Sequence, residues 1–354
     1  MQIGLQSLII LLDRLAVPFC NYPAPAGATA PMELATLKKA LAFASRMRLR
    51  PLCVLSGELP PAKVLAALRR IKHQKLVPWA LYSRMPGAWP VINLSELRSM
   101  KKPGRRAENV ILRVQRQKLG GLANAFARLK GHFKRINVRL LELEKYTENN
   151  FREYRRQCAL VARQIAAQKW PRQGTECNLL TDRLVLRGMN NCGAGLAHVT
   201  VAPNGCFYLC PAFYYQDEAD AVGSLNDGLK IKNPRLLTVE GAPICRSCDA
   251  FQCLRCVWLN KRSTEEINTP SRQQCVAAHL ERAAVQSLRK KLLAKRSAGR
   301  LSPMEKLDYL DPLEKLIRKT ASLAAAAPGR RRRQGARRAQ VELQRLAGAR
   351  GEIS

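Results

Sequence analysis

The chain has 354 residues, 61 Lys plus Arg against 26 Asp plus Glu for a net charge of +35, and 47% hydrophobic residues. That length and apolar content exclude a small disulfide-stapled module and wholesale disorder, because such a chain can bury real cores despite its self-repulsion. With 6% aromatic residues and four histidines against 12 cysteines, its distinctive chemistry rests on thiols rather than on imidazoles or base-stacking platforms.

In chain order, Leu8 to Leu12 reads as a buried strand, stopped by Asp13 and Arg14. Leu34, Leu37, Ala40, Leu41 and Ala44 then recur on one helix face. Leu52 to Leu55 is a second strand, and Pro60-Pro61 opens a helix carrying Val64, Leu65, Leu68 and Ile71. Val77 to Tyr82, Val91 to Asn93 and Val110 to Leu112 read as further strands, with a poorly patterned stretch from Lys101 to Arg106 between the last two. Leu122 to Leu129 is helical, Ile136 to Leu143 is a strand, and Thr147 caps a long helix reaching Gln168. Leu184 to Leu186 closes the series.

Strands alternating with helical stretches predict an α/β fold with parallel strands and crossover helices. Fewer than 190 residues suit an incomplete parallel (β/α) barrel of about six units, since a full barrel takes ~250 residues. The expected division is a partial barrel over 1–188, a small cysteine-rich domain over 189–281, and a basic, helical or disordered tail over 282–354. In the second region Pro203-Asn204-Gly205 turns a hairpin between His198–Val201 and Phe207–Leu209, placing Cys206 and Cys210 at the ends of the return strand. The tail contains Ala324 to Ala327 and then Arg330 to Arg333.

Eight of the cysteines fall between Cys192 and Cys275, while Cys20, Cys53, Cys158 and Cys177 are scattered upstream. The N-terminus has no basic n-region, and no run approaches the ~18 apolar residues of a membrane span. The chain therefore reads as cytoplasmic, where grouped thiols hold metal rather than form disulfides. Cys245-x2-Cys248-x4-Cys253-x2-Cys256 is followed after eighteen residues by Cys275, and Cys192-x13-Cys206-x3-Cys210 lies upstream. Two CxxC pairs can bind structural zinc through four thiolates. A four-residue gap between pairs is much shorter than the ~15 residues of a zinc ribbon, and eight cysteines exceed one zinc site, so interleaved iron–sulfur ligation fits better.

Cys192-Gly-Ala-Gly, Val201-Ala-Pro-Asn-Gly205 and the four-cysteine cluster followed by Cys275 resemble the SPASM auxiliary-cluster domain of radical-SAM peptide maturases. Asn190 through Tyr214, Ala242 through Ala250, Cys256-Val-Trp-Leu-Asn and Asn268-Thr-Pro-Ser resemble the CXXX repeat peptide maturase family, as do Leu8 to Asp13 and Val17-Pro-Phe-Cys-Asn-Tyr. The resemblance runs over residues 5 to 312, including Asp308-Tyr-Leu-Asp-Pro. It implies a divergent maturase, or its redox subunit, acting on a ribosomally made Cys-x-x-x repeat peptide. The alternative is a non-catalytic recognition partner of a separate modification protein.

On matching positions the resemblance gives Cys245, Cys248, Cys253 and Cys275 to one 4Fe-4S cluster and Cys192, Cys210 and Cys256 to another. Either Cys177 or Cys206 completes the second set, or one iron stays open to a substrate thiolate. The Cys-x3-Cys-x2-Cys triad that binds S-adenosylmethionine is missing: four and seven residues after Cys20 stand Ala24 and Gly27. Asp13 and Cys20 flank the loop after the first strand, where parallel barrels place active sites, and Asp13 equally suits capping that loop. His198 and His279 read as ordinary polar residues, and Cys53 and Cys158 as buried thiols. The basic charge also fits nucleic acid, as a zinc-containing binding protein, or an acidic peptide leader, though no helix-turn-helix, finger or RNP pattern is present.

Overall fold

Parallel strands need crossovers too long for tight turns, and the chain supplies them as helices. The computed structural model describes residues 4–99, 106–171, 173–295, 301–304 and 313. β1 (Ser7–Leu11), α1 (Leu34–Arg46), β2 (Arg50–Val54), α2 (Ala62–Arg69), β3 (Gln74–Pro78), α3 (Trp79–Tyr82) and β4 (Trp89–Asn93) come first. β5 (Ala107–Val114), α4 (Leu122–Leu129), β6 (Phe133–Leu140), α5 (Glu148–Ala166), β7 (Glu176–Cys177) and α6 (Thr181–Val185) follow. The cysteine-rich segment adds β8 (His198–Val201), β9 (Phe207–Tyr208), α7 (Pro211–Gln216), β10 (Gly223–Ser224), β11 (Gly228–Leu229), α8 (Val257–Thr264) and α9 (Arg272–Ala294).

The result is an α/β fold whose nine-stranded sheet runs β7-β6-β5-β4-β3-β2-β1-β8-β9. All neighbours are parallel except β8 and β9. Alternation divides β1 between two environments. Leu8 and Ile10 face Leu37, Ala40 and Phe43 of α1 and Val64 and Leu68 of α2, while Ile9 and Leu11 join the larger core with α4, α5, α8 and α9. Ser7 and Ile9 also line the cavity that carries the first group of cysteines.

Most strands and helices lie where the apolar pattern places them, and Thr147 forms a reciprocal capping box with Asn150 at the start of α5. Three strands differ. β3 occupies Gln74–Pro78 rather than 77–82, because Pro78 cannot donate to a ladder and the chain turns there into α3. β6 is Phe133–Leu140 rather than 136–143, ending where Glu142 takes a left-handed φ of 54°. Leu184 to Leu186 does not close the sheet. Thr181 Oγ1 accepts from the Cys177 amide at 2.9 Å and starts α6, so Glu176–Cys177 is the last parallel strand, paired with Arg135 and Ile136.

The expected hairpin forms, with Gly205 at φ +77°. Its sheet is not separate: β8 pairs in parallel with β1 from Ser7↔His198 to Ile10↔Val201. α9 runs unbroken across residue 281, so the helix beginning in the cysteine-rich segment continues into the basic one. Lys101 to Arg105, Asp308 to Pro312, and the Ala324 to Ala327 and Arg330 to Arg333 runs lie outside the described residues.

Candidate functional site

Two groups of thiols converge. Cys20, Cys192, Cys210 and Cys256 line one cavity of about 300 Å³, with Ser7 and Ile9 of β1, Arg139 of β6 and His198 of β8 also in its wall. Each sulfur is brought there by a local device. The Cys192 segment is zipped to the later cysteines by Asn190 N to Phe251 O at 2.8 Å and Cys192 N to Leu254 O at 2.6 Å. Gly193 at φ +73° turns the chain at once, so the Ala194 amide donates back to Cys192 Sγ at 3.5 Å. Cys210 and Cys256 are the N-cap residues of α7 and α8, where nearby backbone amides, of Ala212 and Phe213 and of Leu259, act to lower their thiol pKa against the larger effect of burial. Trp258 Nε1 donates to Gln216 Oε1 at 2.6 Å and fixes those two helices together.

The second group consists of Cys245, Cys248, Cys253 and Cys275. Cys248 and Cys253 each accept a backbone N–H two residues on, from Ala250 at 3.5 Å and Arg255 at 3.4 Å. Cys275 lies early in α9, whose N-cap Ser271 accepts from the Gln274 amide. One turn further along, His279 brings its Nε2 within 3.6 Å of Cys248 Sγ. The Cys248 loop is held from beneath by a buried ion triad: Arg282 donates to both Asp249 oxygens, and Arg183 donates to Asp249 Oδ2 at 3.2 Å and to its carbonyl at 2.6 Å.

Burial governs the electrostatics. It raises the thiol pKa of Cys192, Cys210 and Cys256, and each of those three is raised further by neighbouring thiols of its own ring, Cys20 among them. In the second group burial lifts Cys245 to about 11 and Cys275 to about 12, and raises Cys253 as well. Thiolate ligation in such surroundings needs compensating positive charge and releases the thiol protons. Arg255 supplies part of it: nearly inaccessible, it lowers the pKa of both Cys192 and Cys245. Its Nε donates to Asn191 Oδ1 at 3.1 Å and its Nη2 to the Leu237 carbonyl, while its buried Nη1 has no hydrogen-bond partner among the described residues.

Among the described residues, no three His, Cys, Asp or Glu side chains sit close enough to grip one metal ion. Around a single zinc, bonds of about 2.3 Å would put tetrahedral thiolates roughly 3.8 Å apart. The donor set, the amides aimed at sulfur and the unpartnered Arg255 N–H would suit an anionic group larger than a single ion.

Of the residues marked by sequence, Cys206 joins neither group. It is half-buried in the hairpin turn, bridged to Ser224 and facing the charges of Glu218 and Asp227. Cys177 is buried beside Cys158 in the core, and Cys53 sits within β2 with its thiol raised to about 12 by burial. Asp13 caps its own loop, accepting from Leu15 N at 2.6 Å and Thr29 Oγ1 at 2.7 Å. His198 lines the cavity, held neutral by burial that lowers its pKa to about 4. The contact of His279 and the bridging place of Arg255 carry no sequence signature. Cys20 does, by its position after the first parallel strand. No helix among the described residues is long and apolar enough to cross a membrane. No family model matches this chain, and no curated protein matches it.

Proposed function

We propose that this chain is an iron–sulfur redox subunit for maturation of a ribosomally made Cys-x-x-x repeat peptide, working in the cytoplasm beside a separate modification protein. The observation that carries this reading is the gathering of eight cysteines into two groups joined by one short stretch, with Cys253 in one and Cys256 in the other. In the proposal β1 to β7 form an incomplete barrel and the segment from Cys192 a SPASM-like domain. Cys245, Cys248, Cys253 and Cys275 hold one 4Fe-4S cluster, and Cys192, Cys210 and Cys256 supply three ligands to the other.

Such clusters, when bound, supply one-electron transfer. The chain's own residues set the conditions for it. Backbone amides donate to the sulfurs and stabilise the thiolate form, and Arg255 lowers the thiol pKa in both groups, so its charge would favour the more reduced state of a cluster held by either. Arg183 and Arg282 clamp Asp249 and keep the Cys248 loop from shifting with charge state. The absent triad around Cys20 favours electron delivery over cleavage of S-adenosylmethionine.

Anaerobic purification followed by iron, sulfide and zinc analysis with electron paramagnetic resonance tests the reading. Iron and sulfide for two cubes, with two reducible signals, is the expected result, and colourless protein carrying only zinc overturns it. Adding S-adenosylmethionine and dithionite should yield no 5'-deoxyadenosine above a cluster-free control. Turnover there would make the chain a radical enzyme instead. Binding of the precursor peptide without any redox-active centre would leave only the recognition-partner role.

A further inference from the structure

One member of the cavity's thiol ring comes from outside the cysteine-rich segment, more than a hundred residues upstream. We propose that Cys20 is the fourth thiolate ligand of the centre held by Cys192, Cys210 and Cys256, an inference that rests on the iron–sulfur reading above. Placement supports it: Cys20 shares the cavity with those three, whereas Cys177 is in the core and Cys206 is in the hairpin turn.

The loop bearing Cys20 is also held in place by the protein itself. Val17 N donates to Leu55 O at 2.8 Å, Arg113 Nη2 to Tyr22 O at 2.5 Å, and Phe19 N to the Tyr22 hydroxyl at 3.4 Å. Tyr22 is almost wholly buried, its ring 5.5 Å from that of Tyr215. The thiol is therefore presented by a loop fixed on both sides, which lowers the ordering cost of ligation.

Donor inventory narrows the choice further. Among the described residues, His198 of β8 is the only His, Cys, Asp or Glu lining the cavity besides the four cysteines. With Cys20 the set becomes four thiolates, the usual complement of a 4Fe-4S cube. On ligation Cys20 gives up its thiol proton and no electron changes hands. The centre then has no open iron for a substrate thiolate, and it fastens the loop after β1 to the cysteine-rich segment.

The full chain is reconstituted anaerobically as wild type, Cys20→Ala, Cys20→Ser, Cys206→Ala and His198→Ala. Iron, sulfide, paramagnetic resonance and the midpoint potential of each centre are then measured. Cys20→Ala should lose one cube's worth of iron and sulfide, roughly half the total, or show a changed signal and potential for one centre only. Cys206→Ala and His198→Ala should match wild type. Alkylation followed by peptide mass mapping provides a readout on unmutated protein: Cys20 should resist modification in the loaded form and react after the metal is stripped. Unchanged signals and potentials in both Cys20 variants, loss of a centre in His198→Ala instead, or ready alkylation of Cys20 in fully loaded wild type would overturn the assignment. Zinc without iron in wild type would instead remove the reading beneath it.

Discussion

The two cysteine groups are built in opposite ways. The second is nearly local: Cys245, Cys248 and Cys253 share one irregular stretch, and Cys275 joins from the start of α9. The first draws Cys20, Cys192, Cys210 and Cys256 from four separate segments over the face of β1. A local group can be pre-shaped by turns and N–H···S bonds alone. A dispersed group exists only once the sheet has formed, because its members meet through the pairing of β1 with β8 and the zipping of 190–192 against 251–254. The second group should therefore depend on its loop clamps, and the first on the packing that surrounds its turns.

The largest expected effect tests the clamp. Burial works to raise the Asp249 carboxyl pKa, but Arg282 and Arg183 outweigh it and hold that pKa below its usual range. Asp249→Ala leaves two nearly inaccessible guanidinium groups without this carboxylate and should cost roughly 3–5 kcal/mol in urea unfolding, with the Cys248 loop becoming protease-sensitive first. Equal sensitivity in both cysteine regions would erase the contrast.

Glu281 gives a pH handle on the same region. Burial raises its carboxyl pKa to about 7, against the lowering influence of hydrogen bonds from Tyr154 at 2.6 Å and Gln252 at 3.1 Å. Because the folded pKa is raised, this stabilisation is complete below the unfolded value and is lost as pH rises through about 7. Glu281→Gln keeps an acceptor oxygen for Gln252 and turns an N–H toward the Tyr154 hydroxyl, which then accepts instead of donating. It should match wild type near pH 4 and gain up to about 3 kcal/mol near pH 8, read by denaturant titration at both values.

A smaller effect tests the dispersed group. Gly195 has φ +75°, and a Cβ there would lie 2.6 Å from Leu237 Cδ1 and 2.7 Å from Leu209 Cδ2. Those are flexible side-chain ends, so Gly195→Ala should cost about 1–2 kcal/mol, chiefly from the left-handed backbone. In iron-loaded protein the change should broaden the signal of the proposed Cys192 centre while leaving that of the proposed Cys245 centre as in wild type. Broadening of both would mean the groups do not respond independently.

Much of the architecture was legible from pattern. Leu8 to Leu12, the Leu37/Ala40/Ala44 face and the Thr147 cap signal elements whose physics is contained within a few turns of chain. Misplaced ends fell where a single backbone choice overrides hydrophobicity, at Pro78, at left-handed Glu142 and at Thr181. The close spacing of the cysteines from Cys245 to Cys256 was equally visible. That Cys253 and Cys256 face different groups was not visible in their spacing, since a turn between them decides which way each sulfur points.

By itself the sequence determined an α/β chain of parallel strands, a thiol-rich second half and a close-spaced set of candidate ligands, because those properties depend on composition and on periods of two to four residues. Only the tertiary structure decided that β8 extends the sheet beside β1, that Cys20 rather than Cys177 or Cys206 meets Cys192, Cys210 and Cys256, and that Arg255 lies between the two groups. Those are contacts between residues far apart in the chain, and they are set by strand order and burial of the shared core, which local spacing does not encode.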